Sequence, residues 1–143
     1  MSGADDRSAI VQEWLNAADA DVRMAAGLLT LDDIEPWGIA FHAQQAIEKA
    51  LKTAMVSADL TVPHTHDLSM LVRLLPSGRS ISLDADALDR ITDYAAASRY
   101  PADPWASTTR PTLDEARDAV RDAQETVTAI AEWLALGPTD ESE

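Results

Sequence analysis

Apolar positions along the chain fall into five runs with the spacing of amphipathic helices. Over residues 8–29, Val11, Leu15, Ala18, Val22, Ala25 and Leu29 recur alternately at four and three, with Trp14 beside them. Asp5, Asp6 or Ser8 can cap the start. The stretch TLDDIEP breaks the pattern, and there Asp33 can act near the N-cap and Pro36 in the first turn of a second helix over 36–57. Its apolar arc holds Ile39, Ala40, Ala43, Ala46, Ile47, Ala50, Leu51 and Ala54. Residues 59–66, DLTVPHTH, read as a loop, and Asp67 is placed to cap a short helix carrying Leu68, Leu71, Val72 and Leu75 that stops at PSG. A fourth helix is expected over 83–99, with Leu83, Ala87, Leu88, Ile91, Tyr94 and Ala95 inward. Three prolines make YPADPWASTTRP an irregular connection. Thr112 and Glu115 then form a capping-box pattern, and Leu113, Ala116, Val120, Ala123, Val127, Ile130 and Leu134 carry a fifth helix to Gly137 and Pro138.

This pattern predicts an all-α fold: an up-and-down antiparallel bundle of four long helices plus one short helix, in one domain spanning 1–143 with frayed tails at 1–7 and 137–143. The last helix offers about three heptads and could pair as a coiled coil, but small alanines among its seam positions, at 116 and 123, fit packing inside a bundle better. The 46% apolar content is that of a globular chain.

Composition narrows the function classes. With no cysteine there is no disulfide framework, thiolate nucleophile or cysteine-ligated metal site, and a cytoplasmic protein is expected. The N-terminus lacks a basic region followed by an apolar run, and no stretch has the length of a membrane span. The 25 acids and 11 bases give a net charge of −14, which opposes duplex DNA. The acidity is uneven. Residues 1–35 carry eight acids and two bases, residues 112–143 nine and two, and residues 36–111 eight and seven. The near-neutral middle leaves room for one nucleotide or a short RNA end, and the acidic outer segments suit a basic protein partner.

On a helical wheel the second helix places His42, Gln44, Gln45, Glu48, Lys49 and Lys52 opposite its apolar arc, including the only two lysines of the chain. One reading is a solvated face with a Glu48–Lys52 pair worth about a few tenths of a kcal/mol. The other is a polar strip for an anion or base, in which Lys49 and Lys52 meet phosphate while His42 and Gln45 hydrogen-bond a base or ribose. The three histidines lack the spacing of a metal site, so neither a metal nor a cofactor is expected. His66, immediately before Asp67, is expected to order the entry to the short helix. No nucleophile elbow or glycine-rich phosphate loop occurs. In SRYPADPW, Arg99 can cap the end of the fourth helix or pair with a carboxylate; alternatively its guanidinium reads phosphate beside the aromatic faces of Tyr100 or Trp105.

Four segments, WLNAADADVRMAAGLL at 14–29, AFHAQQAIEKALKTAM at 40–55, PHTHDLSMLVRLL at 63–75 and ASRYP at 97–101, resemble the HEPN domain in content and order. The resemblance implies a bundle of four or five helices that usually forms a homodimer. It also implies frequent partnership with a minimal nucleotidyltransferase, commonly as a toxin–antitoxin pair, and in many members ribonuclease activity. The ribonuclease lineages carry an arginine followed after four to six residues by histidine. This chain departs from them: no histidine occurs after His66, and none of its nine arginines has one at that spacing. The expectation is therefore a noncatalytic member binding a nucleotide or a nucleotidyltransferase in a toxin–antitoxin, defence or stress system, with His42, Gln45, Lys49, Lys52, Arg99 and Tyr100 as candidate nucleotide-binding residues. The alternatives are a divergent ribonuclease combining Arg99 with His42 or His66, and a purely structural dimerisation module.

Overall fold

The computed structural model describes residues 3–97 and 110–136, without the side chains of Ala4, Asp5 and Leu136. It contains five helices: α1 (Gly3–Leu28), α2 (Pro36–Ser57), α3 (Leu68–Arg73), α4 (Ala85–Ala97) and α5 (Leu113–Leu136). The described residues hold no strand.

Paired side chains give the helix directions. Arg7 near the start of α1 reaches Asp59 just beyond α2, while Asp21 later in α1 meets His42 and Lys49 earlier in α2, so α1 and α2 run antiparallel. Tyr94 near the end of α4 donates to Glu115 in the first turn of α5, so these two are antiparallel as well. The long helices therefore alternate, as the four-plus-one bundle requires. Helix α2 is the hub and packs against each of the other four. Five alanines on it, at 40, 43, 46, 50 and 54, are buried, and side chains this small let neighbouring backbones come close. Ile39, Ile47, Leu51 and Met55 fill the spaces between them, with Leu68 and Leu71 of α3, Ile91 of α4 and Ile130 of α5 completing the core.

Local chemistry sets the helix ends. Pro36 opens α2 in its first turn as expected, but the N-cap is Glu35 and it makes no side-chain cap. Asp33 is not that cap: it takes a left-handed backbone with φ 58°, turning the α1–α2 connection, a conformation aspartate tolerates better than most residues. The Asp67 side chain accepts from the Met70 amide and starts α3. Helix α4 starts at Ala85 rather than 83, because Asp84 accepts from the Ala87 amide at 2.7 Å. At α5 the capping box closes in both directions, with the Thr112 amide donating to Glu115 at 3.0 Å and the Glu115 amide to Thr112 at 3.1 Å. The α3 segment is tied to α4 by the Leu68 amide on Thr92 and the Ser69 hydroxyl on Asp89.

Candidate functional site

Polar residues of α2 gather around two buried carboxylates, one from α1 and one from α2 itself. Asp21 lies at the edge of the α1 core stripe, among Ala18, Val22 and Ala25, and is 3% exposed. Its Oδ2 accepts from Lys49 Nζ at 2.6 Å, and its Oδ1 lies 3.0 Å from His42 Nδ1. An ionised carboxylate only accepts, so an imidazole nitrogen facing one serves as the donor. Both partners keep about a third of their side-chain surface in water.

The second centre is Glu48. Its Oε1 accepts from Gln44 Nε2 at 3.0 Å and meets His66 Nδ1 at 2.8 Å, and its Oε2 accepts from Lys52 at 3.3 Å. Gln44, which is fully buried, also donates to the His66 carbonyl and accepts from Gln45, which extends the Glu48 network along α2. Burial pushes the Glu48 carboxyl up, but the hydrogen bonds from Gln44 and His66 and the charge of Lys52 outweigh it and hold it below the ordinary carboxylate range. No buried side-chain nitrogen or oxygen among the described residues lacks a hydrogen-bond partner.

The strip read from the helical wheel is thus not a solvated face. Gln44, Glu48 and Lys52 are buried, because α3 and the loop ahead of it cover that side of α2. The Glu48–Lys52 pair exists, but within the protein rather than on its surface. His42, Gln45 and Lys49 remain half-exposed on the same helix. His66 does order the approach to α3, through its contacts with Glu48 and Gln44, while its ring stays more than half exposed. Arg99 and Tyr100 lie outside the described residues. Asp21 and the second role of Gln44 escaped the sequence reading. The one signal for them was a lone acid at the rim of the α1 apolar stripe in a chain whose two lysines both lie on one helix.

Chemically, the arrangement holds two imidazoles by carboxylates, the device that fixes a histidine's tautomer and ring orientation. It also matches each lysine with an acid, which leaves little positive charge for a phosphate. No group of three or more metal-ligating side chains occurs among the described residues, and none of their helices is long and apolar enough to cross a membrane.

A second polar seam joins α4 and α5. The Tyr94 hydroxyl donates to Glu115 at 2.9 Å, and burial together with that carboxylate pushes the phenol up to about 12. Asp122, on the same side of α5, is raised by burial, with Glu125 and Asp118 acting in the same direction against Arg121 and Arg90.

No curated protein matches the chain. Among solved structures it is similar to the crystal structure of TT1696 from Thermus thermophilus, with 29% sequence identity over 85% of this chain and 96% of that one and a TM-score of 0.65. The HEPN domain pattern matches residues 11–133, which takes in the helices that carry both carboxylate centres. A match over that much of the chain settles its kinship: this is a member of the HEPN domain family.

Proposed function

We propose that this protein is a noncatalytic HEPN module that works by binding, as a homodimer, to a minimal nucleotidyltransferase or a nucleotide in a toxin–antitoxin, defence or stress system. The observation that carries the reading is the commitment of its polar strip. Both lysines and two of the three histidines are held by Asp21 and Glu48, and no histidine follows His66 to complete the family's arginine–histidine pair. A phosphate would have to compete with Asp21 for Lys49 and with Glu48 for the buried Lys52. That favours a protein partner over a free nucleotide, with His42, Gln45 and Lys49 as contact residues of the strip and Arg99 and Tyr100 as the remaining candidates. The acidic segments at 1–35 and 112–143 suit a partner with a basic surface.

A divergent ribonuclease is the second reading, and one observation favours it. Glu48 holds His66 Nδ1, so Nε2 of an exposed imidazole is presented in one tautomer, as a general base requires. Titration with ATP, GTP and a short RNA, alongside pull-down with a nucleotidyltransferase encoded next to this chain, separates the readings. The binding module predicts nucleotidyltransferase capture and no cleavage. RNA cleavage abolished by Arg99→Ala overturns it, and neither binding nor cleavage leaves a structural dimer. A monomeric mass by light scattering across micromolar concentrations counts against dimerisation.

A further inference from the structure

The three histidines of the chain differ in what surrounds their rings. His64, exposed in the loop ahead of α3, has no hydrogen-bond or ion-pair partner among the described residues. His66 faces Glu48, but Lys52, the lysine on that carboxylate, is buried. His42 stands apart from both. Its Nδ1 lies 3.0 Å from Oδ1 of the buried Asp21, whose Oδ2 takes the half-exposed Lys49 at 2.6 Å. His42 and Lys49 are seven positions apart, close to two full turns, so one face of α2 brings an imidazole and an ammonium to one carboxylate of α1.

The other ring nitrogen of His42 is open. Nε2 has no hydrogen-bond partner among the described residues, and none of their buried side-chain nitrogens lacks one, so Nε2 faces water. With Nδ1 donating to Asp21, the neutral ring carries its lone pair on that accessible nitrogen. The Asp21 side chain is 4% exposed and that of Lys49 is 32% exposed. An anion approaching the ring therefore meets the ammonium, while the carboxylate stays behind it.

We propose that His42 is a phosphoryl acceptor: its Nε2 takes the phosphoryl group of an activated donor, an acyl phosphate or a phosphoramidate, and holds it as Nε2-phosphohistidine. The Nε2 lone pair forms the N–P bond, and the bond from phosphorus to the leaving group breaks with its electron pair going to the leaving group. An acyl phosphate releases a carboxylate anion, and a phosphoramidate protonated on nitrogen releases ammonia, so neither needs a further proton. The positive charge that develops on the ring is met by Asp21 through the Nδ1 proton, which stays in place throughout. Lys49 offsets the negative charge of the donor's oxygens. A phosphate held without a covalent bond gains little here, because Lys49 already has Asp21; a covalent product does not depend on that affinity. The inference uses two residues of the strip and does not depend on which partner the strip binds.

The test treats the full chain, labelled with carbon-13 at histidine, with potassium phosphoramidate at neutral pH and follows the three rings separately by proton–carbon NMR. His42 is expected to react at least about tenfold faster than His64, the reference for an imidazole without partners, and to give the Nε2 adduct. In urea, where the pairing is lost, the three rates should converge. Asp21→Asn and Lys49→Gln should each lower the ratio of the His42 rate to the His64 rate by about threefold or more. Helicity and the ratio for His66 should stay as they were, which a loosened bundle would not allow. Lys49→Gln, at a half-exposed position, carries the test where Asp21→Asn lowers helicity. A His42 rate that does not exceed that of His64, an adduct at Nδ1, a ratio that survives urea, or a Lys49→Gln variant that keeps the full ratio would each overturn the proposal. Capture of a nucleotidyltransferase is read on the unmodified chain, so that reading and this one fail separately.

Discussion

The same charges appear on two helices of this bundle with different consequences. On α2, Glu48 and Lys52 pair at i,i+4 with side chains 8% and 11% exposed; on α5, Asp118 and Arg121 pair at i,i+3 with both more than 60% exposed. Helix α5 needs nothing from its pair, because water solvates either partner alone, and exposed pairs contribute about 0–1 kcal/mol. Helix α2 has no such freedom. Its acid is surrounded by Gln44, His66 and Lys52, each of which would be left facing a hole if the carboxylate were removed. The lesson is that an ion pair's worth lies in what surrounds it. A buried pair need not stabilise more than well-packed apolar residues would, yet breaking one by deleting a single partner is costly.

The largest effect should therefore come from Glu48→Leu. It leaves the Lys52 ammonium buried without its counterion, at a cost of about 3–5 kcal/mol, and thermal unfolding should fall by on the order of 10 °C. The pH dependence has a definite sign. The folded pKa of Glu48 lies below its ordinary 4.5, so the native protein binds fewer protons there than the unfolded chain. Its contribution is therefore present above that value and lost as pH falls through the depressed one. The stability gap between the native protein and Glu48→Leu should narrow on acidification below about pH 4.5, measured by urea unfolding at a series of pH values. A gap that stays constant down to about pH 3 would mean that the carboxylate's charge is not what the network uses.

Asp21→Leu should cost less, although Asp21 is equally buried and holds two partners. Lys49 and His42 each keep about a third of their side-chain surface in water and can swing out to it, so the orphaned charge is solvated rather than trapped. A loss of about 1–2 kcal/mol is expected, within the usual range for a buried polar partner removed. The α1–α2 seam should show it locally, as faster amide exchange in the middle of α1 than in α5. A cost equal to that of Glu48→Leu would show that exposure of the partners does not set the penalty.

These two carboxylates also mark where the sequence is legible and where it is not. Helix positions follow from apolar spacing and turn chemistry, and Pro36, Asp67 and the Thr112–Glu115 box sit where those rules place them, because each acts within a few residues of itself. Asp33 misled for a complementary reason: a residue suited to a cap is equally suited to a left-handed turn, and only the path into Pro36 decides between them. The wheel of α2 failed on a larger scale. It divides a helix into an inside and an outside, but α2 has neighbours on four sides, so Gln44, Glu48 and Lys52 on its polar arc are inside as well. The Glu48–Lys52 pair is local and legible at i,i+4, but the contacts that tie this helix to the rest of the bundle are long-range: His66 lies 18 residues after Glu48, and Lys49 lies 28 after Asp21. No local period encodes such a pairing. A cleft at one end of the bundle was less visible still, since its walls combine the first turns of α1 with the last turns of α2 and α5, and it becomes a feature only when the bundle closes.

The smallest effect should belong to Asp118→Ala, and its near-zero size is informative because two terms cancel. The substitution removes the exposed 3.1 Å contact with Arg121, worth at most about a few tenths of a kcal/mol. It also takes one negative charge away from Asp122, whose carboxyl burial already raises and which Glu125 and Asp118 raise further. Arg121, released from Asp118, is free to turn its charge toward Asp122, one residue along the helix. The melting temperature should therefore move by no more than about 2 °C in either direction. The Asp122 carboxyl should titrate at lower pH than in the native protein, followed by carboxyl-carbon NMR. An unchanged Asp122 midpoint would mean that burial alone sets it, and the acids of α5 would then titrate independently of one another, unlike Glu48 on α2, whose carboxyl is held by Gln44, His66 and Lys52.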